Sequence, residues 1–378
     1  MKARNQNRIC IVLTTINSGD VLDGYCSQAD KEGVRDALQI IVIPDRKTPV
    51  ELFKKCDQIR AGGFDIQCPT LEEQDSYLKK LGAFSTLVPY NSDNRRNIGY
   101  LMALESGDNI LLSIDDDNYC MGETYKTSAL VCENAIQLPA VHSSNGWFNF
   151  CEMLQIEPNG RFYPRGFPYH KRHQDPQLTF PRETGSVRMN VGLWLQEPDL
   201  DAITWLTAPV RARGFKGESY LLGNDTWGPI NTQNTALHRD LIVSYYFVRM
   251  GYPLAGMPID RYGDIFSGYL SQTCIRHMGH RIRVGTPVAN HNRNSHNYLR
   301  DLAGEMACIL ALEPFTEWLP SVKLQGGTYA ETYLSLADAI DRQVQLFSGQ
   351  IWTDATRGYF HQMTYCMRQW VKACALVG

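Results

Sequence analysis

Asn109-Ile110-Leu111-Leu112-Ser113-Ile114-Asp115-Asp116-Asp117 is the stretch that decides how this chain is read. The part from Asn109 to Ile114 has the length, apolar content and following polar break of a strand buried on both faces of a parallel sheet. Its three carboxylates then stand at the carboxyl end of that strand, where open α/β sheets place their ligands. Packed like charges are costly without a cation to share. Hard oxygen ligands suit Mg2+ or Mn2+, which bind through one or two carboxylates and leave the remaining positions to water and substrate phosphates. A nucleoside diphosphate is the fitting guest. The competing reading is a loop of solvated acids at a strand end.

Composition narrows the field. The chain has 378 residues, enough for one large α/β domain with an extension, and its hydrophobic share of 43% is that of an ordinary globular protein. A formal net charge of -3 gives no basic field for a nucleic-acid backbone, so phosphate recognition must be local. Eleven cysteines without a Cys-x-x-Cys pair read as free thiols in a reducing compartment, with the cytoplasm as the expectation. No apolar run approaches the ~20 residues that cross a bilayer, so no transmembrane segment is expected.

Working outward, Arg8 to Thr14, Leu38 to Ile43 and Ala83 to Val88 are further apolar segments of strand length. Thr48 to Ala61 and Asn94 to Glu105 have helical spacing. Strands alternating with helices predict an α/β fold with a mainly parallel, doubly wound sheet. From Trp147 to Asn234 the chain is dense in Pro, Gly, Trp and Arg, which predicts long site-forming loops. Beyond Leu302 the pattern turns helical, most clearly over Tyr329 to Phe347 and Gly358 to Leu376. The expected organisation is a nucleotide-sugar-binding domain over 1–300 and a helical extension over 301–378. Apolar faces in that extension offer a route to a homo-oligomer.

A series of markers follows the acidic run: Arg165-Gly166-Phe167-Pro168, Gly192-Leu193-Trp194-Leu195 with Pro198-Asp199 and Asp201-Ala202, Arg239-Asp240-Leu241-Ile242, Arg261-Tyr262 with Asp264, and His291. With these in this order, the chain resembles the reversibly glycosylated polypeptides, the family that includes the plant UDP-arabinopyranose mutases, over nearly its full length. The resemblance implies a glycosyltransferase A-type, Rossmann-like fold. It implies that Asp115 and Asp117 hold the metal, with His291 as a third ligand, and that Asp115 and Asp116 face the nucleotide. A metal so placed acts as a Lewis acid on the diphosphate leaving group.

Other positions take roles from this frame. Arg96, next to Arg95, is placed to fork onto a phosphate oxygen, the alternative being a helix-start arginine in solvent. Thr15, at the exit of the first strand, and Asp45, at the exit of the second, lie where base and ribose bind. Asp264 is the candidate carboxylate for proton transfer, although Gly263 stands where the family has another acid; a salt bridge to Arg261 or Arg276 is the structural alternative. Arg165 and Arg182 complete the candidate catalytic set. Counting back from Gly192 matches Arg182 to the arginine that the family glycosylates, whereas counting forward from Arg165 matches Arg172, so this chain carries an insertion between Arg165 and Arg182.

Two lures are set aside. His238-Arg239-Asp240 lacks the rest of a kinase signature and reads as a helix start. Cys274, His277 and His280 have ligand-like spacing but would spread over more than one helix face and lack a fourth ligand.

The expected activity is a metal-dependent glycosyltransferase that passes sugar from a UDP-sugar donor to an acceptor, small molecule or glycan. The alternatives are a UDP-sugar pyranose/furanose mutase that glycosylates itself, and a non-catalytic nucleotide-sugar-binding subunit.

Overall fold

A computed structural model describes residues 7–254 and 256–378. Strands β1 (Ile9–Thr15), β2 (Leu38–Pro44), β3 (Asp65–Gln67) and β4 (Ile110–Ile114) run parallel in the order β3-β2-β1-β4. Every residue of β2 and β4 is buried, which explains sequences that are nearly continuous apolar runs and do not alternate. Helices α1 (Val21–Glu32), α2 (Val50–Ala61), α3 (Leu71–Lys79) and α4 (Arg96–Glu105) lie in the connections. Along β1 the pleat sends Ile9, Ile11 and Leu13 into the core that holds α1 and α2, and Cys10 and Val12 into the core that holds α4. Helix α4 sits so close to the sheet that a Cβ on Gly99 would lie 2.4 Å from Cγ1 of Val12.

Beyond β4 the sheet becomes mixed. Asn234–His238 pairs antiparallel with β4, and Val187–Gln196 pairs antiparallel with Asn234–His238. Arg281–His291 runs parallel to Val187–Gln196, and Tyr220–Leu222 and Ile136–Ser143 continue outward. The α/β architecture expected from the sequence is present. Its parallel pairings fall in two groups, the first four strands and, beyond the antiparallel Asn234–His238, Val187–Gln196 with Arg281–His291 and Tyr220–Leu222 with Ile136–Ser143.

Three expectations change. Ala83–Val88 is not a strand: Gly82–Thr86 forms a 3-10 turn, entered by Gly82 at φ +59°, and the ring of Phe84 is directed into the core 5.5 Å from Trp370. The segment 147–234 carries site loops, but it also supplies the ten-residue strand Val187–Gln196 in the middle of the sheet. The boundary at 300/301 falls inside a continuous helix, Tyr298–Trp318. With Tyr329–Gln343 and Asp354–Val377, that helix joins the same apolar core as α4 and the sheet, so the helical end is part of the domain. No helix among the described residues is long and apolar enough to cross a membrane.

Candidate active site

Strand register brings the markers together. β1 and β4 pair in parallel from Ile9 opposite Ile110 to Val12 opposite Ser113, so Thr15 and the three aspartates leave the sheet side by side. Strand β5 (Asn118–Cys120) then pairs antiparallel with the end of Arg281–His291, with Asn118 opposite His291, and this sets Asp117 against His291. In the neighbouring parallel pair, Gln196 lies opposite His291, so Asp199 emerges at the same edge. The antiparallel entry of Asn234–His238 adds Thr232 and Gln233. A cavity of about 280 Å³ results, and its lining carries six carboxylates against four guanidiniums.

The three aspartates have separate fates. Asp115 pairs with Arg96 (Oδ1 to Nη2, 2.7 Å); burial raises its pKa, and Arg96 pulls it back only in part. Asp116 accepts from the Thr15 hydroxyl at 2.5 Å and from the Asn17 amide at 2.9 Å, and its pKa is also raised by burial. Asp117 faces Nε2 of His291 at 3.4 Å and accepts from the Asn118 side chain at 2.9 Å. Burial would raise its pKa as well, but the surrounding donors, Nε2 of His291 when protonated and backbone N–H groups, outweigh that and hold it below the ordinary carboxylate value.

Arg96 does not offer the free phosphate fork expected of it. Its Nη1 donates to Thr232 at 2.7 Å and its Nη2 to Thr14 at 3.3 Å in addition to Asp115, so its charge is matched within the protein.

Arg165 is the hinge of the opposite wall. Gly166 follows in the left-handed region at φ +85°, where a Cβ would lie 2.5 Å from Ile265, and this tight turn aims Arg165 inward. The buried guanidinium grips two carboxylates at once: Asp199 at 2.9 and 3.0 Å, and Asp264 at 2.8 and 3.1 Å. It also donates to the carbonyl of Arg261. Asp264 therefore pairs with Arg165, and not with either arginine expected from sequence.

Nδ1 of His291 lies 2.6 Å from the carbonyl of Glu197. A carbonyl only accepts, so Nδ1 carries the proton, and in the neutral ring the lone pair of Nε2 is directed at a carboxylate oxygen of Asp117. Two acceptors facing each other at 3.4 Å fit a cation between them. Among the described residues no three His, Cys, Asp or Glu side chains close into a metal cage, and Asp115, expected as a ligand, is turned to Arg96. The pair Asp117 and His291 is what remains of the expected trio.

A second cavity of about 240 Å³ adjoins the first and shares Thr14, Asp93 and Asp116 with it. Thr15 and Asp45, the two residues expected on the nucleoside side, both line it. Asp45 fixes its own turn, accepting from the backbone N–H of Arg46 at 2.7 Å and of Ser92 at 3.2 Å. Arg95 also lines this cavity, but its guanidinium is held by Gln74 and stacks 4.4 Å over Tyr90.

Arg182 lies elsewhere. It is exposed, in the strand Arg182–Gly185 on the edge of the sheet opposite Pro139, and it is absent from the lining of the carboxylate cavity. Arg172 is also outside that cavity, bound to Asp201 at 2.5 Å and stacked 3.7 Å over Tyr169. The segment between Arg165 and Arg182, through Phe167, Lys171 and Gln174, builds one wall of a separate cavity of about 200 Å³, whose other walls include Trp147, Phe148 and Tyr163. Zinc finds no place at Cys274, His277 and His280: Cys274 is buried in the core, while His277 contacts the carbonyl of Gly326 and His280 the hydroxyl of Tyr329. Residues that sequence reading missed are Asp93, Thr232, Arg293, Asn294 and His296. Only position could have signalled Arg293 and Asn294, since they follow His291 at the same strand end.

The family model for reversibly glycosylated polypeptides matches residues 4–378. UDP-arabinopyranose mutase 1 of Arabidopsis thaliana is 24% identical over 315 residues, which is 82% of this chain and 80% of that protein. UDP-arabinopyranose mutase 1 of Oryza sativa subsp. japonica is also 24% identical, over 82% of this chain and 78% of the relative. Among solved structures, M. tuberculosis glucosyl-3-phosphoglycerate synthase aligns over 82% of each chain at 12% identity, with a TM-score of 0.40. With the family model spanning all but the first three residues, the chain belongs to the reversibly glycosylated polypeptide family.

Proposed function

We propose that this protein is an enzyme acting on a UDP-sugar, and that its reaction is the interconversion of pyranose and furanose ring forms of a UDP-pentose. The observation that carries the reading is the Asp117–His291 pair at the joint edge of β4 and the last strand, in a chain whose curated relatives are named UDP-arabinopyranose mutases. Asp117 and His291 would hold Mn2+ or Mg2+; such an ion, when bound, neutralises charge on the diphosphate as the anomeric bond breaks. The surplus of carboxylates over guanidiniums in the lining supports a cation there.

The remaining work falls to side chains. Thr15 and Asp45 line the nucleoside cavity, while Asp116, braced by Thr15 and Asn17, separates it from the carboxylate cavity. Asp264, fixed by both arms of Arg165, presents a carboxylate of set orientation to the sugar. Eleven unpaired cysteines accord with a reducing compartment such as the cytoplasm.

Transfer to a separate acceptor is the second reading. The aromatic-walled cavity beside Tyr163–Phe167 favours it, because it provides room for a sugar ring that a mutase has no use for.

The test is to incubate the protein with a panel of radiolabelled UDP-sugars and Mn2+ without acceptor, and to follow free UDP, ring form and label on the chain, beside Asp117→Ala. Metal-dependent ring isomerisation supports the mutase. UDP release without isomerisation sinks it and favours transfer.

A further inference from the structure

Four guanidiniums line the carboxylate cavity, and three of them are neutralised from within the protein. Arg96 is matched by Asp115, Arg165 by Asp199 and Asp264, and Arg261 by Glu305 at 3.0 Å. Arg293 differs. Among the described residues it has no carboxylate within ion-pair distance of its guanidinium, and its Nη1 is sealed from solvent without a hydrogen-bond partner.

What Arg293 does have is a support. Its guanidinium lies 4.9 Å over the ring of Trp205 and 5.8 Å over that of Tyr298, and these two rings are themselves stacked at 5.9 Å. Its backbone N–H donates to Glu197 at 2.7 Å, which fixes the chain two residues beyond His291. The side chain is thus held in place by aromatic faces, which supply no counter-charge that would satisfy its donors. Keeping a guanidinium in such a setting is costly unless an anion completes it.

We infer that Arg293 is the anion anchor of this cavity, taking a phosphate oxygen of a nucleoside diphosphate whose other oxygens face the Asp117–His291 pair. This rests on the reading that the cavity takes a UDP-sugar. It moves the phosphate contact from Arg96, where the sequence placed it, to the end of the last strand, where a guanidinium lining the cavity has no carboxylate partner among the described residues.

The test is calorimetric titration of the full chain, in Mn2+, with UDP, pyrophosphate and uridine. Arg293→Ala is expected to weaken UDP and pyrophosphate by about tenfold or more while uridine binding stays within about twofold, and Arg293→Lys to recover part of the loss. Arg293→Met keeps the stem over Trp205 and Tyr298, so a loss shared by Ala and Met, with unchanged melting temperatures, assigns the effect to the missing charge. If both variants bind UDP like the wild type, or lose uridine equally, the inference is overturned while the UDP-sugar reading stands. Wild-type protein that binds neither UDP nor pyrophosphate overturns both.

Discussion

His291 and Asp117 face each other across 3.4 Å, nitrogen to carboxylate oxygen, while the other ring nitrogen of His291 is committed to the carbonyl of Glu197. The geometry is set by β5, whose antiparallel pairing puts Asn118 opposite His291. Removing either member leaves a single ligand. Asp117→Ala and His291→Ala should each lower Mn2+ affinity, followed by manganese EPR in the presence of UDP, by ~100-fold, while His291→Gln retains a donor and loses less. Variants that bind Mn2+ like the wild type would show that these residues hold no metal.

Arg165 joins Asp199 and Asp264 in a buried three-residue clamp. Arg165→Lys cannot reproduce the fork, and leaves at least one buried carboxylate short of a partner. Unfolding in urea should register a loss of about 3–5 kcal/mol. A shift of less than about 1 kcal/mol would mean that the clamp is replaced by water at little cost.

Arg182 stands on an exposed edge strand. Arg182→Ala should leave turnover of a UDP-sugar within about twofold of the wild type, as for a surface change away from the site. Loss of turnover, or of label retained on the chain, would return Arg182 to the catalytic set.

His142 bridges two acids, with Nε2 2.7 Å from Glu183 and Nδ1 2.8 Å from Asp225. Desolvation lowers its pKa, but the two carboxylates outweigh this and raise it above the ordinary value. The sign follows: the stabilisation is full below the unfolded pKa near 6.5 and is lost as pH rises through the higher folded pKa. Melting temperature should fall slightly over that window, by the equivalent of less than about 1 kcal/mol, and His142→Gln should flatten the trend. The opposite slope would rule out a charged imidazole.

Gly99 lets α4 rest on β1. Gly99→Ala places a methyl against Val12 and should cost about 1–3 kcal/mol, read by chemical denaturation, although alanine favours helix. An unchanged or higher stability would mean that the helix can lift without penalty.

Much of this was legible in the chain. β1, β2 and β4 are buried on both faces, so their continuous apolar runs marked them to within a residue or two. That Thr15, Asp45 and the run Asp115–Asp117 share one edge was legible because they end or directly follow β1, β2 and β4, and strand ends converge in an open α/β sheet, whereas His291 came with the family resemblance. Ala83–Val88 misled because Phe84 packs against Trp370 of the carboxyl-terminal helix and Leu87 and Val88 join the same core, and a short run does not reveal which surface it covers. The pairing of Arg96 with Asp115 and the outward placement of Arg182 depend on side-chain direction and on how the segment after Arg165 folds back, neither of which spacing encodes. Arg293 was hidden for a related reason: a guanidinium with no carboxylate partner among the described residues looks, in sequence, like any other arginine.

The buried ring of Trp370, set against Phe84 and Tyr246, has a bearing on how the protein is made. Tyr246 in turn meets Asn94, which ties the backbone just ahead of Arg96. A ribosome that has already released every residue lining the two cavities has still not supplied the indole against which Phe84 and Tyr246 pack. Maturation of the site should therefore wait for the helix Asp354–Val377 to clear the exit tunnel, and nascent chains halted before it should depend on chaperones.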